Sequence, residues 1–452
     1  MSHLLKAKGS FRPKIALVVF SDGERCPMLL NGDGIPLFDP TIWSITKYRQ
    51  RSASTVEQGL RGAMFIHLFC WRYSIDLTER VKAGTFFEVG ELDALVADAF
   101  RPFSRLRTEK VLSKRKFSAS KSRSAARLLR RLPTTVRVST VASETTRIRL
   151  HYATSYLKWL GEREKLQLQN GGIGTDGDFL TAHEYGMRLV DVIEQIEERA
   201  PVVSRKGRIS LEFEQRVRLM AVIDPNSQEN PWSDPFVRLR NWVIVRWLLG
   251  TGMRRGELLS LRVRDFHRGQ AYCEIKRRHD DKNDTRRRQP NVKTLERLAP
   301  LDEVLTDLGE QYLGARKKIE AARKHGILFV AEDGKPLSDS AITGMFALLR
   351  EKYPDIGPVS AHVLRHQWNE DFSAYADTIG MGPDEEVRER CWLMGWSPTS
   401  KMPGHYLKRR TKAKADEHSK EMQRRLMKHV AEIDHRMRLV DQASQNFNND
   451  RN

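Results

Sequence analysis

The residue types best suited to chemistry cluster between Ser360 and Arg410, in SAHVLRHQWNEDF and RCWLMGWSPTSKMPGHYLKRR. His362 and Arg365 are three apart, and His366 follows directly. Positions i and i+3 of a helix share a face, so an imidazole and a guanidinium can meet the same small anion. Trp396 follows a glycine, and Tyr406 lies in a basic setting. A tyrosine delivered to such an anion could attack it. With a reference pKa of about 10, its hydroxyl needs positive charge beside it to react near neutrality. A second arginine, Arg254, precedes Glu257 by three in TGMRRGELLSLRVRDF, so the carboxylate can orient the guanidinium from the same helical face. The neighbouring Arg255 lacks that step to Glu257. Arg254 and Arg365 together would offer two forks to the non-bridging oxygens of a phosphodiester. Fixed cations of that kind stabilise a pentacovalent phosphorane.

Each of these motifs alone is weak. Their order is far more specific: an arginine with a glutamate three later, a lysine, HxxRH, GW, then tyrosine. In that order the stretch from about 233 to 410 resembles the tyrosine recombinase, or phage-type integrase, family. The resemblance implies a mainly helical fold with a small β-sheet. A helical core-binding domain and a catalytic domain would form a clamp around DNA, with no metal and no nucleotide. Carried over by position, Arg254, Lys293, His362, Arg365, Trp396 and Tyr406 match the motif, with Glu257 in support. Arg254 and Arg365 would hold the scissile phosphate, and Tyr406 would attack it to give a 3′-phosphotyrosine and a free 5′-hydroxyl. Lys293 would protonate the leaving 5′-oxygen, and His362 would serve the phosphate or share proton transfer. Lys276 and Lys282 are rivals to Lys293. Trp396 stands where many members carry histidine; its indole N–H can donate one hydrogen bond but cannot shuttle protons. The expected partners are double-stranded DNA, a dimer on one site, a tetramer in the synaptic complex, and an accessory recombinase or directionality factor. The host would be a transposable or integrative element. Two other readings compete: a DNA-binding protein of the same fold that no longer catalyses, and a metal-dependent nuclease or transposase. The second needs separated carboxylates gripping two ions. The acids of HDDKND, residues 279–284, read instead as a solvated loop balancing Arg286, Arg287 and Arg288.

Composition agrees with a polyanionic partner. The 452 residues carry 78 Lys and Arg against 58 Asp and Glu, a formal net charge of +20. Such a surplus suits phosphate neutralisation. The four cysteines, Cys26, Cys70, Cys273 and Cys391, are scattered without a CxxC pair, which fits a reducing compartment better than a disulfide or zinc framework. The N-terminal apolar run, Ile15 to Phe20, is too short for a signal core, and no stretch approaches the ~18 apolar residues of a membrane span. The expected location is the cytoplasm, at the nucleoid.

The remaining elements must bring DNA to these residues. Residues 1–40 read as a small β unit, with IALVVF and PMLL around SDGER. Residues 41–203 read as a helical core-binding domain, with a stripe of Ile148, Tyr152, Tyr156, Leu157 and Leu160. Within it, segment 101–137 sets Arg105, Arg107, Lys114, Arg115, Lys116, Lys121, Arg123, Arg127, Arg130 and Arg131 against the one acid Glu109, and is the expected DNA-binding segment. A basic linker over 201–208 leads to the catalytic domain, 209–410. There SDPFVRLRNWVIVRWLLGTG reads as a helix stopped by Gly250 with Trp242, Val245 and Leu249 buried. VKTLERLAPL and ILFVAEDGKPLS read as strands. The stretches 277–292 and YADTIGMGPDEEV are long for the family, the second expected as a surface loop. In 411–452 a terminal helix carries a seam of Met422, Leu426, Val430, Ile433, Met437 and Val440 before a disordered tail.

Overall fold

The computed structural model describes residues 11–108, 140–170, 181–203, 210–404, 411, 415–425, 427 and 428. The chain divides into two compact units. One runs to Lys206 and includes Asp280–Lys282; the other comprises Gly207–His279 and the chain from Asn283 onward.

The first unit opens with an antiparallel hairpin, β1 (Lys14–Val19) and β2 (Arg25–Leu30), registered from Lys14 opposite Leu30 to Val19 opposite Arg25. Helices α1 (Phe38–Tyr48), α2 (Ala53–Tyr73), α3 (Leu77–Lys82), α4 (Val89–Ala99), α5 (Phe103–Leu106), α6 (Ser143–Asn170) and α7 (Ala182–Glu198) follow. Their starts are written in the sequence. The Asp76 carboxylate accepts from the amides of Thr78 and Glu79, and Thr181 with Glu184 forms a reciprocal capping box. The core gathers Trp43, Leu60, Phe65, Phe69, Tyr156, Leu160 and Tyr185. The α6 stripe is shifted from the expected one. Leu150, Ala153, Tyr156, Leu157 and Leu160 are buried while Ile148 is exposed, because α2 and α7 both pack on this helix.

His67 on α2 bonds the Tyr156 hydroxyl at 3.1 Å inside this core, and burial pushes its pKa down to about 4. The folded unit therefore favours the neutral ring. Its contribution is complete above pH ~6.5 and is lost as pH falls from there towards 4, because the unfolded chain binds the proton first. The loss is expected to reach about 2–3 kcal/mol at 1.36 kcal/mol per pKa unit. Denaturant unfolding of wild type and His67→Phe between pH 7 and 4 should show a steeper decline for wild type. Parallel declines would remove His67 as the cause.

The second unit holds α8 (Phe213–Ile223), α9 (Pro235–Thr251), α10 (Arg255–Ser260), α11 (Glu303–Lys317), α12 (Glu320–Arg323), α13 (Asp339–Lys352), α14 (Ala361–Thr378) and α15 (Pro383–Met394). A three-stranded antiparallel sheet joins them, in the order β3 (Phe266–His267), β4 (Tyr272–Ile275), β5 (Arg297–Pro300). Asp234 caps α9 by accepting from the Val237 amide at 2.8 Å, and Pro235 occupies its first turn. This helix differs from expectation in two ways. It ends at Gly252 rather than Gly250, and it is buried on most sides, through Val243, Ile244, Trp247 and Leu248 rather than chiefly Trp242 and Leu249. It runs through the middle of the unit with α11 and α14 both against it, so no single stripe could describe it.

The strand expected over VKTLERLAPL is confined to Arg297–Pro300. ILFVAEDGKPLS forms only isolated bridges, Ile327 with Arg262 and Val330 with Pro336. The expected loop YADTIGMGPDEEV is instead the end of α14, a short turn and the start of α15. A buried network holds it there. The Arg390 guanidinium, fully buried, meets Glu386, donates to Ser373 Oγ at 2.5 Å and to the Asn369 carbonyl at 2.8 Å. A buried charge needs such partners, and this set converts an apparent insertion into packed helix. Among the described residues no helix is long and apolar enough to cross a membrane. Residues 415–425 are helical with Met422 exposed; most of the terminal seam lies outside the described residues.

Candidate active site

The end of α9 sets up the site. Gly252 takes a φ of +61, and a Cβ there would lie 2.8 Å from both the Trp368 ring and Met394 Cε. The left-handed conformation and the close approach both call for glycine. Its carbonyl accepts from Arg365 Nη1 at 2.5 Å, so the turn positions a side chain from α14. Two residues later α10 begins, with Arg254 at its N-cap position and Glu257 at the third helical position. Glu257 Oε2 accepts the Arg254 amide at 2.9 Å and Oε1 accepts Arg254 Nη1 at 3.3 Å, the link expected from their spacing.

Glu257 is fully buried and collects more than one arginine. Arg297 Nη2 donates to it at 2.7 Å, the Thr294 hydroxyl donates at 2.7 Å, and Arg365 Nη1 stands 4.0 Å away. Burial opposes its ionisation, but the Arg297 charge and hydrogen bond, the Arg365 charge and the Arg254 amide hold its carboxyl below the usual carboxylate range. One carboxylate thus hydrogen-bonds Arg254 from its own helix and Arg297 from β5, with Arg365 from α14 at ion-pair distance. Arg365 is buried and donates from Nη2 to the Met394 carbonyl at 3.4 Å; its guanidinium lies 5.5 Å from the Trp396 ring centroid. Arg254 keeps about a third of its side chain exposed. Arg255 turns away, pairing with Asp339 at 2.6 Å and Thr343 at 2.8 Å.

The segment before β5 is drawn into the same site. Gly256 has no Cβ to meet the Asn291 carbonyl, which would lie 2.6 Å from one, so the chain passes directly over α10. Leu295 N donates to the Gly395 carbonyl at 2.8 Å and Arg297 Nε to the Leu393 carbonyl at 2.7 Å. Lys293 is exposed, one residue before the anchored Thr294. Of its rivals, Lys276 pairs with Glu274 at 2.8 Å, and Lys282 is exposed. Trp396, buried, follows the Gly395 turn. His362 is exposed in the first turn of α14, with His366 buried one turn on. The structure therefore brings Arg254, Glu257, Arg365 and Trp396 together around shared partners. Tyr406 lies outside the described residues, as do Lys114, Arg115, Lys116, Lys121, Arg123, Arg127, Arg130 and Arg131. Of the remaining basic residues, Arg107 points Nη2 at Met64 Sδ, 3.6 Å away, and Arg105 is half-buried.

Thr294 and Arg297 were not among the expected site residues. The signal was an arginine on the inward face of a short apolar strand, where Arg297 and Ala299 are buried and Leu298 is exposed. In the long stretch 277–292, Asp284 pairs with Arg286 at 2.6 Å, and Arg286 Nη1 donates to the Leu259 and Leu337 carbonyls at 3.0 and 2.9 Å. Among the described residues no group of three or more His, Cys, Asp or Glu is placed to hold a metal ion.

Glu257→Gln is expected to strip the charge that offsets Arg297 and Arg365. Removing one partner of a buried ion pair costs about 3–5 kcal/mol, readable by denaturant unfolding. A variant within about 0.5 kcal/mol of wild type would show that the arginines do not depend on the carboxylate.

The second unit is mainly helical with a small antiparallel sheet, and it brings Arg254, Arg297 and Arg365 to one buried glutamate. Residues 210–373 match the family model described as the phage integrase family. It is similar to a tyrosine recombinase XerD of Halalkalibacterium halodurans, 29% identical over 136 residues, which are 30% of this chain and 40% of that protein. The chain thus spans about two fifths of the length of that curated relative. Among solved structures it is similar to the Tn1549 transposon integrase in complex with transposon right end DNA, at 16% identity and a TM-score of 0.36, over 64% of this chain and 90% of that one. It is also similar to the XerA recombinase, at 17% identity and a TM-score of 0.32, over 57% and 82%.

Proposed function

We propose that this protein is a site-specific DNA recombinase that cuts and rejoins strands through a 3′-phosphotyrosine on Tyr406. The observation that carries the reading is the convergence of Arg254 and Arg365 on Glu257. Two guanidinium groups beside one buried carboxylate, Arg254 bonded to it and Arg365 held by the Gly252 and Met394 carbonyls, form a preorganised positive seat for a phosphodiester, and need no rearrangement as charge builds on the phosphorane. In the proposed step Tyr406 gives up its phenolic proton to water, its oxygen forms a bond to phosphorus, and the bond from phosphorus to the 5′-oxygen breaks. The leaving oxygen takes a proton from Lys293. Arg254, Arg365 and His362 face the non-bridging oxygens, and Trp396 backs the Arg365 guanidinium. The phosphotyrosyl ester conserves the energy of the phosphodiester, so religation by the free 5′-hydroxyl needs no ATP. The net charge of +20 favours double-stranded DNA as partner and makes binding salt-dependent, through release of condensed counterions. We further assign a dimer to one site and a tetramer to the synaptic complex, working at the nucleoid.

The test is trapping on a nicked suicide duplex in excess chelator, then mass spectrometry of the linked peptide. A covalent adduct on Tyr406 is expected. An adduct on another residue would overturn the nucleophile, and cleavage that stops with chelation would overturn the mechanism.

A further inference from the structure

Lys293 lies before β5, outside the ladder that pairs Arg297–Pro300 with β4, so the sheet does not set where its backbone stands. Val292 and Thr294 on either side are buried, and Lys293 is exposed between them. The alternation is that of an extended chain, whose neighbouring side chains point to opposite faces. Whatever grips Val292 and Thr294 therefore aims Lys293 outward. The chain just before them lies against α10, where the Asn291 carbonyl occupies the space that a Cβ on Gly256 would need.

Thr294 makes the specific contact. Its hydroxyl donates to Glu257 Oε1 at 2.7 Å and accepts from Arg297 Nη1 at 3.2 Å. The direction of both bonds is forced, because an ionised carboxylate only accepts and a guanidinium only donates. The Thr294 carbonyl accepts from Arg277 Nε at 2.5 Å, and the next amide, Leu295 N, donates to the Gly395 carbonyl at 2.8 Å. Side chain, carbonyl and following amide thus tie this one position to α10, to the segment after β4 and to the turn before Trp396. Glu257 Oε1 also accepts Arg254 Nη1 at 3.3 Å. The oxygen that orients Arg254 is the oxygen that holds the residue next to Lys293.

We propose that Thr294 is a positioning residue for strand cleavage: through its bond to Glu257 it holds the backbone of Lys293 at a fixed distance from the arginine seat, so that the ammonium reaches the leaving 5′-oxygen. The assignment rests on the recombinase reading, in which Lys293 gives that oxygen its proton. A lysine ammonium is a point charge on a flexible four-carbon stem, so its placement depends on where the stem starts. A general acid must come within hydrogen-bond reach of the atom it protonates, and a displacement of about 1 Å can cost about 100-fold in rate.

The test measures single-turnover cleavage of two suicide duplexes, one ordinary and one with sulfur in place of the 5′-bridging oxygen at the scissile phosphate. A thiol such as that of cysteine has a pKa of about 8.5, so the sulfur leaves as a thiolate and needs no proton from the protein. Thr294→Val keeps the shape of the side chain and removes the hydroxyl. It is expected to slow cleavage of the ordinary duplex about 10–100-fold and to match wild type within about threefold on the sulfur duplex. Thr294→Ser, which keeps the hydroxyl, should recover most of the rate on the ordinary duplex. Lys293→Ala should show the same rescue by sulfur, and adding Thr294→Val to it should cost nothing more, because a residue acting through another has no effect once that other is gone. Both duplexes are cleaved by the same preparation, so the ratio of their rates does not depend on how much of a variant is folded. Thr294→Ala takes the place of the valine variant if that one yields no folded protein. Equal slowing on the two duplexes would assign Thr294 to the arginines alone and overturn the proposal. An unchanged rate on the ordinary duplex, or a further loss in the double variant, would overturn it as well. Rescue of Lys293→Ala without rescue of Thr294→Val would overturn this proposal and leave the parent reading standing. A Lys293→Ala variant that sulfur does not rescue, or a wild type that forms no adduct, would overturn both.

Discussion

Arg365→Lys is expected to lower strand cleavage by about 10³-fold while DNA binding falls far less. Removing one preorganised charged donor from such a site costs about 10²–10³ in rate, and here the loss of position adds to it. The guanidinium is held at three points: the Gly252 carbonyl, the Met394 carbonyl and the Trp396 ring. It also lies 4.0 Å from Glu257. A lysine ammonium is a point charge on a mobile stem and cannot meet two carbonyls from different elements, stack on an indole and still present a planar fork. Rapid-quench cleavage of a labelled duplex gives the rate, and mobility shift the affinity. A loss of less than about tenfold would mean that charge alone, without the fork, suffices at this position.

Tyr406→Phe is expected to remove the covalent adduct altogether, with DNA affinity and thermal stability unchanged. The substitution deletes only the phenolic oxygen, which is the proposed nucleophile. The positive seat formed by Arg254 and Arg365 would remain, so the variant should still recognise the phosphate backbone. Denaturing gels after incubation with the suicide duplex decide it: equal adduct yields for wild type and variant would remove Tyr406 from the reaction.

What could be read before any coordinates was whatever local spacing dictates. The Arg254 to Glu257 step, the HxxRH register, the Asp234 cap with Pro235 after it, and the helix around His362 all depend on residues within one or two turns. Such relations follow from helix geometry and survive any tertiary arrangement. Where local pattern was ambiguous the reading slipped. A helix packed on most sides has no stripe to find, which misassigned the buried face of α9. The apolar run ILFVA reads as a strand until its neighbours leave it only isolated bridges. The stretch before Trp396 looked like a loop because its glycines and acids are turn-like, but Arg390 draws Glu386 into a buried pair and makes it helix.

By itself the sequence determined the order of the candidate site residues and the net positive charge that accompanies them. Only the tertiary structure decided that Glu257, forty residues before Arg297 and more than a hundred before Arg365, is the point on which these arginines meet. It alone made Thr294 and the Gly395 turn the anchors of the lysine segment, and His366 the inward partner of His362. The physical reason is that a buried carboxylate must find its counter-charges wherever the packed chain delivers them, and no linear spacing records which ones arrive.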